Sequence, residues 1–399
     1  MPGFDVVVDL TPLWTLSRFQ GIGTYVRELE RALAHLLGDD LDGLTLGGLV
    51  GFEHGHPRIE PLREGRTLDP TDEPARAHTR GHIWRRRILL GQAVRLSGAR
   101  LVHLPEPLGM PLGSGVPRVV TCHDLIPLDF PEWYLSRRFP LARPRRWLHD
   151  RLRFGSARRI LANSRATARD LIEKLDIPES QIDVVYPGVD FDRFRPGAEA
   201  HEREDLRRWF GIDRPFILFV GAGDPRKGIP SLIRAHARVA ASHDVLLVLA
   251  GRIDPRYQPA LELAINGFGR GDLIRRLDFV SADALPALYR QCLVFSLPSH
   301  AEGFGLPLAE AMACGAPAVV SSVGSLPEVA GDGALLVPVG DDDALAAALM
   351  RVIEDTDLRH VLARRGPIVA SRFSWDRCAR DVVRSYCRAL RLPGAGSSG

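Results

Sequence analysis

Cysteine is scarce and scattered: Cys122, Cys292, Cys314, Cys378 and Cys387 form no Cys-x-x-Cys pair and have no histidine at ligand spacing. That excludes a disulfide-stapled module and a cysteine metal knuckle, and the thiols read as reduced and mostly buried. Apolar runs of about 18 residues or more are missing, so no segment reads as a membrane-spanning helix. The opening residues Met1-Pro2-Gly3-Phe4-Asp5 show neither a basic nor a long apolar leader region, and a cytoplasmic location is the expectation. An excess of charge of one sign is also missing; the net value is only +3, too little for a nucleic-acid field. Lysine almost vanishes, with Lys174 and Lys227 set against fifty arginines, so a lysine inside a motif stands out.

What is present is an ordinary globular composition, 45% hydrophobic and 25% charged, which excludes extensive disorder. The 399 residues exceed one typical core, and two domains of roughly 200 residues each are expected. In the first half, apolar strand-like runs (Phe4 to Leu10, Leu44 to Val50, Leu101 to Leu104, Val116 to Cys122, Ile160 to Asn163) alternate with amphipathic stretches such as Tyr25 to Leu37. The alternation predicts βα units and a parallel sheet. Residues 190–212 are polar and contain proline, and the domain boundary is placed there. A second alternation follows, through Phe216 to Val220, Val245 to Ala250, Leu277 to Val280, Leu293 to Leu297, Ala318 to Ser321 and Ala334 to Val337. Residues 1–195 and 210–372 are thus the two expected domains, and residues 392–399 a disordered tail. The expected fold class is α/β, with two Rossmann-like, doubly wound parallel sheets facing across a cleft that holds the ligands.

Directly after the run Leu293 to Leu297 comes Ser299-His300-Ala301-Glu302-Gly303-Phe304-Gly305-Leu306-Pro307-Leu308-Ala309-Glu310-Ala311, which reads as glycine loop and helix start. Amides at such a helix N-terminus suit an anion, while Glu302 and Glu310 suit sugar hydroxyls. Taken alone, the segment also reads as a tight turn with two solvated glutamates. After Phe216 to Val220, the loop Gly221-Ala222-Gly223-Asp224-Pro225-Arg226-Lys227-Gly228 offers two cations for a leaving diphosphate; the other reading is a capped surface turn. In the first half, His123 of Thr121-Cys122-His123-Asp124-Leu125-Ile126-Pro127 ends an apolar strand, as a reacting-centre residue or a structural hydrogen-bonder. Asp124 could orient the ring or face away.

Gly21-Ile22-Gly23-Thr24-Tyr25 reads as a loop whose amides could meet a phosphate or an acceptor hydroxyl. It fails as a dinucleotide fingerprint, because valine stands at position 26 and no acidic residue ends a second strand. Arg137 to Arg169 interleaves arginine with Trp147, Leu148, Leu152 and Phe154; a solvated helix face competes with a surface for anionic lipid. Asp341-Asp342-Asp343 reads as a helix N-cap and Asp39-Asp40 as a surface loop, neither as a metal site.

The segment from Glu302 to Glu310 resembles the Glu-x7-Glu motif of retaining GT-B glycosyltransferases of family four. The likeness continues through Ala313-Cys314-Gly315-Ala316-Pro317, Gly324-Ser325-Leu326-Pro327-Glu328-Val329 and Gly331-Asp332-Gly333-Ala334, and earlier through Ala162-Asn163-Ser164 and Tyr186-Pro187-Gly188-Val189-Asp190. The resemblance implies that Glu302 and the amides of Phe304, Gly305 and Leu306 meet the donor sugar, that Glu310 holds the ribose, and that Arg226 and Lys227 hold the diphosphate. Many members carry an arginine directly after the first glycine of that loop, where this chain has Ala222, so Lys227 carries the assignment more firmly than Arg226. His123 in His-Asp-Leu-Ile-Pro resembles members that handle mannose, in which this histidine contacts the sugar. Gly21, Gly23 and Tyr25 resemble the loop beside the acceptor and, at Gly23, the donor phosphate.

The last helix, 375–391, is expected to cross back to the first domain, and closure to bring His123 and Glu302 to one sugar. The implied activity is transfer of a hexose with retained configuration, without a cofactor or metal. GDP-mannose is the favoured donor and a UDP-sugar the runner-up, the base being read near Val280. The acceptor, a glycan, a lipid-linked saccharide or a small molecule, is not legible, and the polar stretch Gly51 to Arg80 offers no clue. Nucleic acid is not an expected partner. From other classes, a silent nucleotide-sugar-binding scaffold is supported only by Ala222, and an epimerase lacks its acidic and histidine constellation.

Overall fold

The computed structural model describes residues 3–15, 21–36, 43–53, 56–63, 80–106, 115–134, 142–197, 199, 201–278, 280–281 and 283–392. Asp39-Asp40, most of Gly51 to Arg80, residues 137–141 of the arginine-rich stretch and the tail 393–399 lie outside the described residues. The chain divides into two compact units, residues 1–188 with 375–399, and residues 189–374.

In the first unit the strands are β1 (Val6–Asp9), β2 (Leu46–Glu53), β3 (His56–Pro61), β4 (Leu101–Leu104), β5 (Arg118–Cys122), β6 (Arg159–Ala162) and β7 (Ile182–Val184). Their order in the sheet is β3-β2-β1-β4-β5-β6-β7, parallel except for the β2–β3 hairpin. Successive residues of β1 feed opposite faces, as the pleat requires. Val6 and Val8 join the cluster that holds helix Gly21–Leu36 and helix Trp375–Leu390, and Val7 joins Leu49, Val102 and Phe154 on the other face. The last helix is pinned by a buried carboxylate. Asp183, in the middle of β7, accepts from Arg159 Nε at 2.7 Å, Ser385 Oγ at 2.7 Å and Arg388 at 2.6 Å.

The second unit has strands β8 (Phe216–Val220), β9 (Leu246–Ala250), β10 (Ile274–Leu277), β11 (Val294–Leu297), β12 (Ala318–Ser321) and β13 (Leu335–Val337), all parallel, in the order β10-β9-β8-β11-β12-β13. The winding runs outward from β8 to β10 and then restarts at β11 on the other side of β8. The reversal puts the loops after β8 and β11 side by side at the carboxyl edge, where such sheets bind ligands. Residues 190–212, read from sequence as the boundary, lie inside this unit. Phe194 is buried, and Glu202, at the start of helix Glu202–Phe210, accepts from Arg290 Nε at 2.8 Å and Gln291 at 3.1 Å. Polar composition misled there because the helix buries Leu206 alone of its apolar residues and ties Glu202 to Arg290 and Gln291.

Candidate active site

The loop after β8 folds into a short turn, Pro225–Lys227, started by Asp224, whose carboxylate accepts from Arg226 N at 3.0 Å. Gly228 ends the turn at φ +65°, and a Cβ there would lie 2.1 Å from the Pro298 carbonyl oxygen. The two loops are therefore in backbone contact, and His300 N donates to Arg226 O at 2.6 Å. This approach delivers Lys227 and Arg226 to Glu302. Lys227 Nζ donates to Glu302 Oε1 at 2.6 Å, Arg226 to Glu302 Oε2 at 2.9 Å and to Ala301 O at 3.1 Å, and Ser299 Oγ to Glu302 Oε1 at 2.8 Å. Lys227 and Glu302 are both buried, at 6% and 8% exposure. Burial by itself would raise the Glu302 carboxyl, but Lys227, Arg226 and Ser299 bring it down to about 2, so it is ionised. Burial pulls the Lys227 ammonium below the usual lysine value against the attraction of Glu302. With Asp224 3.9 Å from Arg226 the cluster holds two cations and two carboxylates, and Lys227 and Arg226 are the groups in it that suit an incoming anion.

Beyond Glu302 the chain turns through Gly305, at φ +91°, into helix Leu306–Ala313. The Leu306 amide sits in the first turn, where amides have no intrahelical acceptor. The Phe304 side chain is not available to a ligand, because it is buried against Phe373 with ring centroids 5.4 Å apart. Only its backbone can serve the role the resemblance implies. Glu310, one turn into the helix, is half-buried and accepts from the Tyr289 hydroxyl at 3.1 Å. Tyr289 was missed in the sequence, where nothing relates it to Glu310. Val280 follows β10 and is half-buried, two strands from β8 in the sheet. Among the described residues no group of three or more His, Cys, Asp or Glu side chains is arranged to hold a metal ion.

In the first unit His123 follows β5 at the carboxyl edge of the sheet and is half-buried. Its Nε2 donates to the Pro105 carbonyl at 2.8 Å, which leaves Nδ1 as the acceptor of the neutral ring. Burial lowers its pKa, opposed by the Pro105 bond and by Asp124 and Glu106. Asn163 Nδ2 donates to the His123 carbonyl at 2.8 Å. Asp124 accepts from Ile126 N at 3.2 Å, starting the turn that follows.

The Gly-x-Gly segment requires a correction. Gly21 and Gly23 are not in a loop but in the first turn of helix Gly21–Leu36, because that helix starts four residues earlier than its apolar periodicity suggests. Gly21 is exposed and Gly23 buried. Tyr25, read as an acceptor-side residue, is 2% exposed. Its ring meets His123 edge-on at 4.9 Å and Trp375 at 5.9 Å, so it supports His123 rather than offering a surface to an acceptor.

Comparison with known proteins matches residues 202–368 to the family described as Glycosyl transferases group 1 and residues 19–193 to Glycosyltransferase Family 4. An O-antigen chain mannosyltransferase B from Escherichia coli is 30% identical over 382 residues, 92% of this chain and 95% of that protein. A D-inositol 3-phosphate glycosyltransferase from Salinispora arenicola is 34% identical over 300 residues, 71% of this chain and 66% of that protein, so the match spans just under two thirds of this relative. Among solved structures, sucrose-phosphate synthase from Thermosynechococcus elongatus superimposes with a TM-score of 0.73 at 22% identity, covering 97% of this chain and 99% of that one. The last likeness bears on the fold alone, and the fold is GT-B.

Proposed function

The chain belongs to the glycosyl transferases group 1 family, glycosyltransferase family four, and on that premise we propose that it moves a hexose, with mannose favoured, from a nucleotide-sugar donor to a glycan, lipid-linked or small-molecule acceptor, retaining the anomeric configuration. The observation that carries the reading is the cluster of Lys227, Arg226 and Glu302 at the β8–β11 reversal, beside the N-terminus of helix Leu306–Ala313. GDP-mannose is the first donor to try, with a UDP-sugar as the alternative.

The bond from the anomeric carbon to the terminal diphosphate oxygen breaks while the acceptor oxygen bonds to the same carbon on the same face. The acceptor proton passes to the departing phosphate oxygen. Charge develops on the diphosphate, so Lys227, Arg226 and the Leu306 amide act there, where fixed donors contribute most. A diphosphate brings more negative charge than Glu302 carries, so it draws the two cations toward itself. Glu302 is then free to accept from sugar hydroxyls, and Glu310 does the same for the ribose. His123 contacts the sugar with the nitrogen that Pro105 does not engage. No metal takes part, and chelation leaves turnover intact; strict sensitivity to EDTA would contradict this. Product NMR after incubation with GDP-mannose and UDP-glucose tests the whole reading, and an inverted product or no transfer from any donor would overturn it.

Helix Ala142–Gly155 favours a membrane surface as a further partner. Leu148 and Leu152, one turn apart, are 51% and 63% exposed, and Arg145 is exposed on the same helix face. The only acid of this helix, Asp150, is buried and bound inward by Arg146, with Arg153 3.3 Å away. An apolar and cationic outer face suits anionic lipid and hence a lipid-linked acceptor. Co-sedimentation with phosphatidylglycerol vesicles at low salt, lost in Leu152→Glu, is the expected result; no pelleting removes the membrane.

A further inference from the structure

The first unit buries a string of polar side chains that the reaction does not use. His103 on β4 has no exposed surface, yet both ring nitrogens are engaged. Nδ1 lies 2.7 Å from the Tyr386 hydroxyl of the last helix and Nε2 lies 2.9 Å from Thr121 Oγ1 on β5. Thr121 Oγ1 is in turn 3.4 Å from the Tyr25 hydroxyl, a long contact, and the Tyr25 ring abuts His123. Burial, followed by the proximity of His123, pulls His103 down to about 3, so the ring is neutral.

The surroundings make the string unusual. Leu101, Val119, Cys378, Ala379 and Val382 already supply an apolar cluster at this place. Hydroxyls and an imidazole in such a cluster cost desolvation that aliphatic side chains of similar size do not. Once present and mutually satisfied, they admit few ring orientations, because a rotated ring would leave a nitrogen or a hydroxyl unpaired. The string also has a direction. It begins on the last helix, crosses β4 and β5, and ends on Tyr25, whose other side is held by Trp375 from the same helix. His123 is fixed at Nε2 by Pro105 and at its carbonyl by Asn163, and the Tyr25 ring packs against it in an edge-to-face contact.

We propose that Tyr386, His103 and Thr121 are positioning residues for His123, forming a hydrogen-bonded string through which the last helix fixes Tyr25 and, through it, the histidine ring. The inference rests on the reading of His123 as the residue that meets the donor sugar. It makes the C-terminal helix part of the sugar-side machinery without any contact to substrate.

The test uses the full chain with Tyr386→Phe and Thr121→Val, each removing one hydroxyl, and Thr121→Ser, which keeps it. Steady-state transfer, thermal unfolding and histidine side-chain 1H–15N spectra across pH are compared. Tyr386→Phe and Thr121→Val are expected to lower kcat about tenfold with donor KM within about twofold, as misplacement of a reacting group does. Both are expected to shift the His123 titration midpoint and tautomer balance, with Asp124 and Glu106 the charged neighbours in every variant, and Thr121→Ser is expected to restore kcat and spectrum. A lower melting temperature with kcat and the His123 signals unchanged would assign the string to packing and overturn the proposal. Should the wild-type chain transfer no sugar from any donor, the function reading falls by itself. The spectra then decide alone: His123 signals that move in Tyr386→Phe sustain the positioning, and unmoved signals refute it.

Discussion

Lys227 and Glu302 stand 75 residues apart in the chain and share a buried hydrogen bond of 2.6 Å. The pair exists because β8 and β11 are neighbours in the sheet although two strands separate them in sequence. In the proposed function the cations of this cluster serve the diphosphate and its carboxylate serves the sugar.

Removing the ammonium is expected to be felt in the transition state. Lys227→Ala should lower kcat/KM for sugar transfer by roughly 10²–10³, the scale for losing one preorganised donor at a developing charge. Arg226→Ala should cost less, since Arg226 is the more exposed of the two. Equal losses in the two variants, or none in Lys227→Ala, would contradict the assignment.

The ionised Glu302 ties stability to acid. Its folded pKa of about 2 lies below the usual glutamate value of 4.5, so the unfolded chain binds the proton first as pH falls. The contribution is complete above about pH 4.5 and is lost on descent toward about pH 2. Urea midpoints measured through that window should fall more steeply for the wild type than for Glu302→Gln; parallel curves would show that the carboxylate is not held in this way.

His103 gives a second window, which overlaps that of Glu302 between about pH 3 and pH 4.5. Its folded pKa of about 3 lies below the ordinary 6.5, so the unfolded state again binds the proton first. Stability should decline as pH drops from about 6.5 toward 3. His103→Gln should flatten the upper part of that decline, and an unchanged slope would indicate that the ring is not kept neutral by the fold.

Gly228 tests the contact between the two loops. A methyl group at φ +65° and 2.1 Å from the Pro298 oxygen has no room. Gly228→Ala should lose on the order of 2 kcal/mol or more in denaturant unfolding, combining the left-handed penalty with a clash. A neutral outcome would mean that the loops separate without cost.

Asp183 tests the docking of the last helix. Its carboxylate serves Arg159, Ser385 and Arg388 at once. Asp183→Ala should destabilise the first unit by about 3 kcal/mol, as expected when one partner of a buried ion pair is removed. Hydrogen exchange should quicken across Trp375–Leu390; exchange confined to β7 would show that apolar packing alone holds the helix.

The sequence by itself determined the α/β class, most of the parallel strands and the two glycine loops after β8 and β11, because each of these is local. A run such as Val294–Leu297 followed by a glycine loop and Leu306–Ala313 carries its periodicity and its turn residues within about one βα unit. Tertiary structure alone decided which loops meet. Periodicity does not say that β8 lies beside β11, so the Lys227–Glu302 bond, the Tyr289–Glu310 bond and the Tyr386–His103–Thr121 string were out of reach. The edge strand His56–Pro61 was also missed, since its two prolines and charged residues read as loop. Tyr25 was misplaced for a related reason. Its motif position is local, but its burial comes from the last helix, and only long-range packing brings Trp375 to that ring.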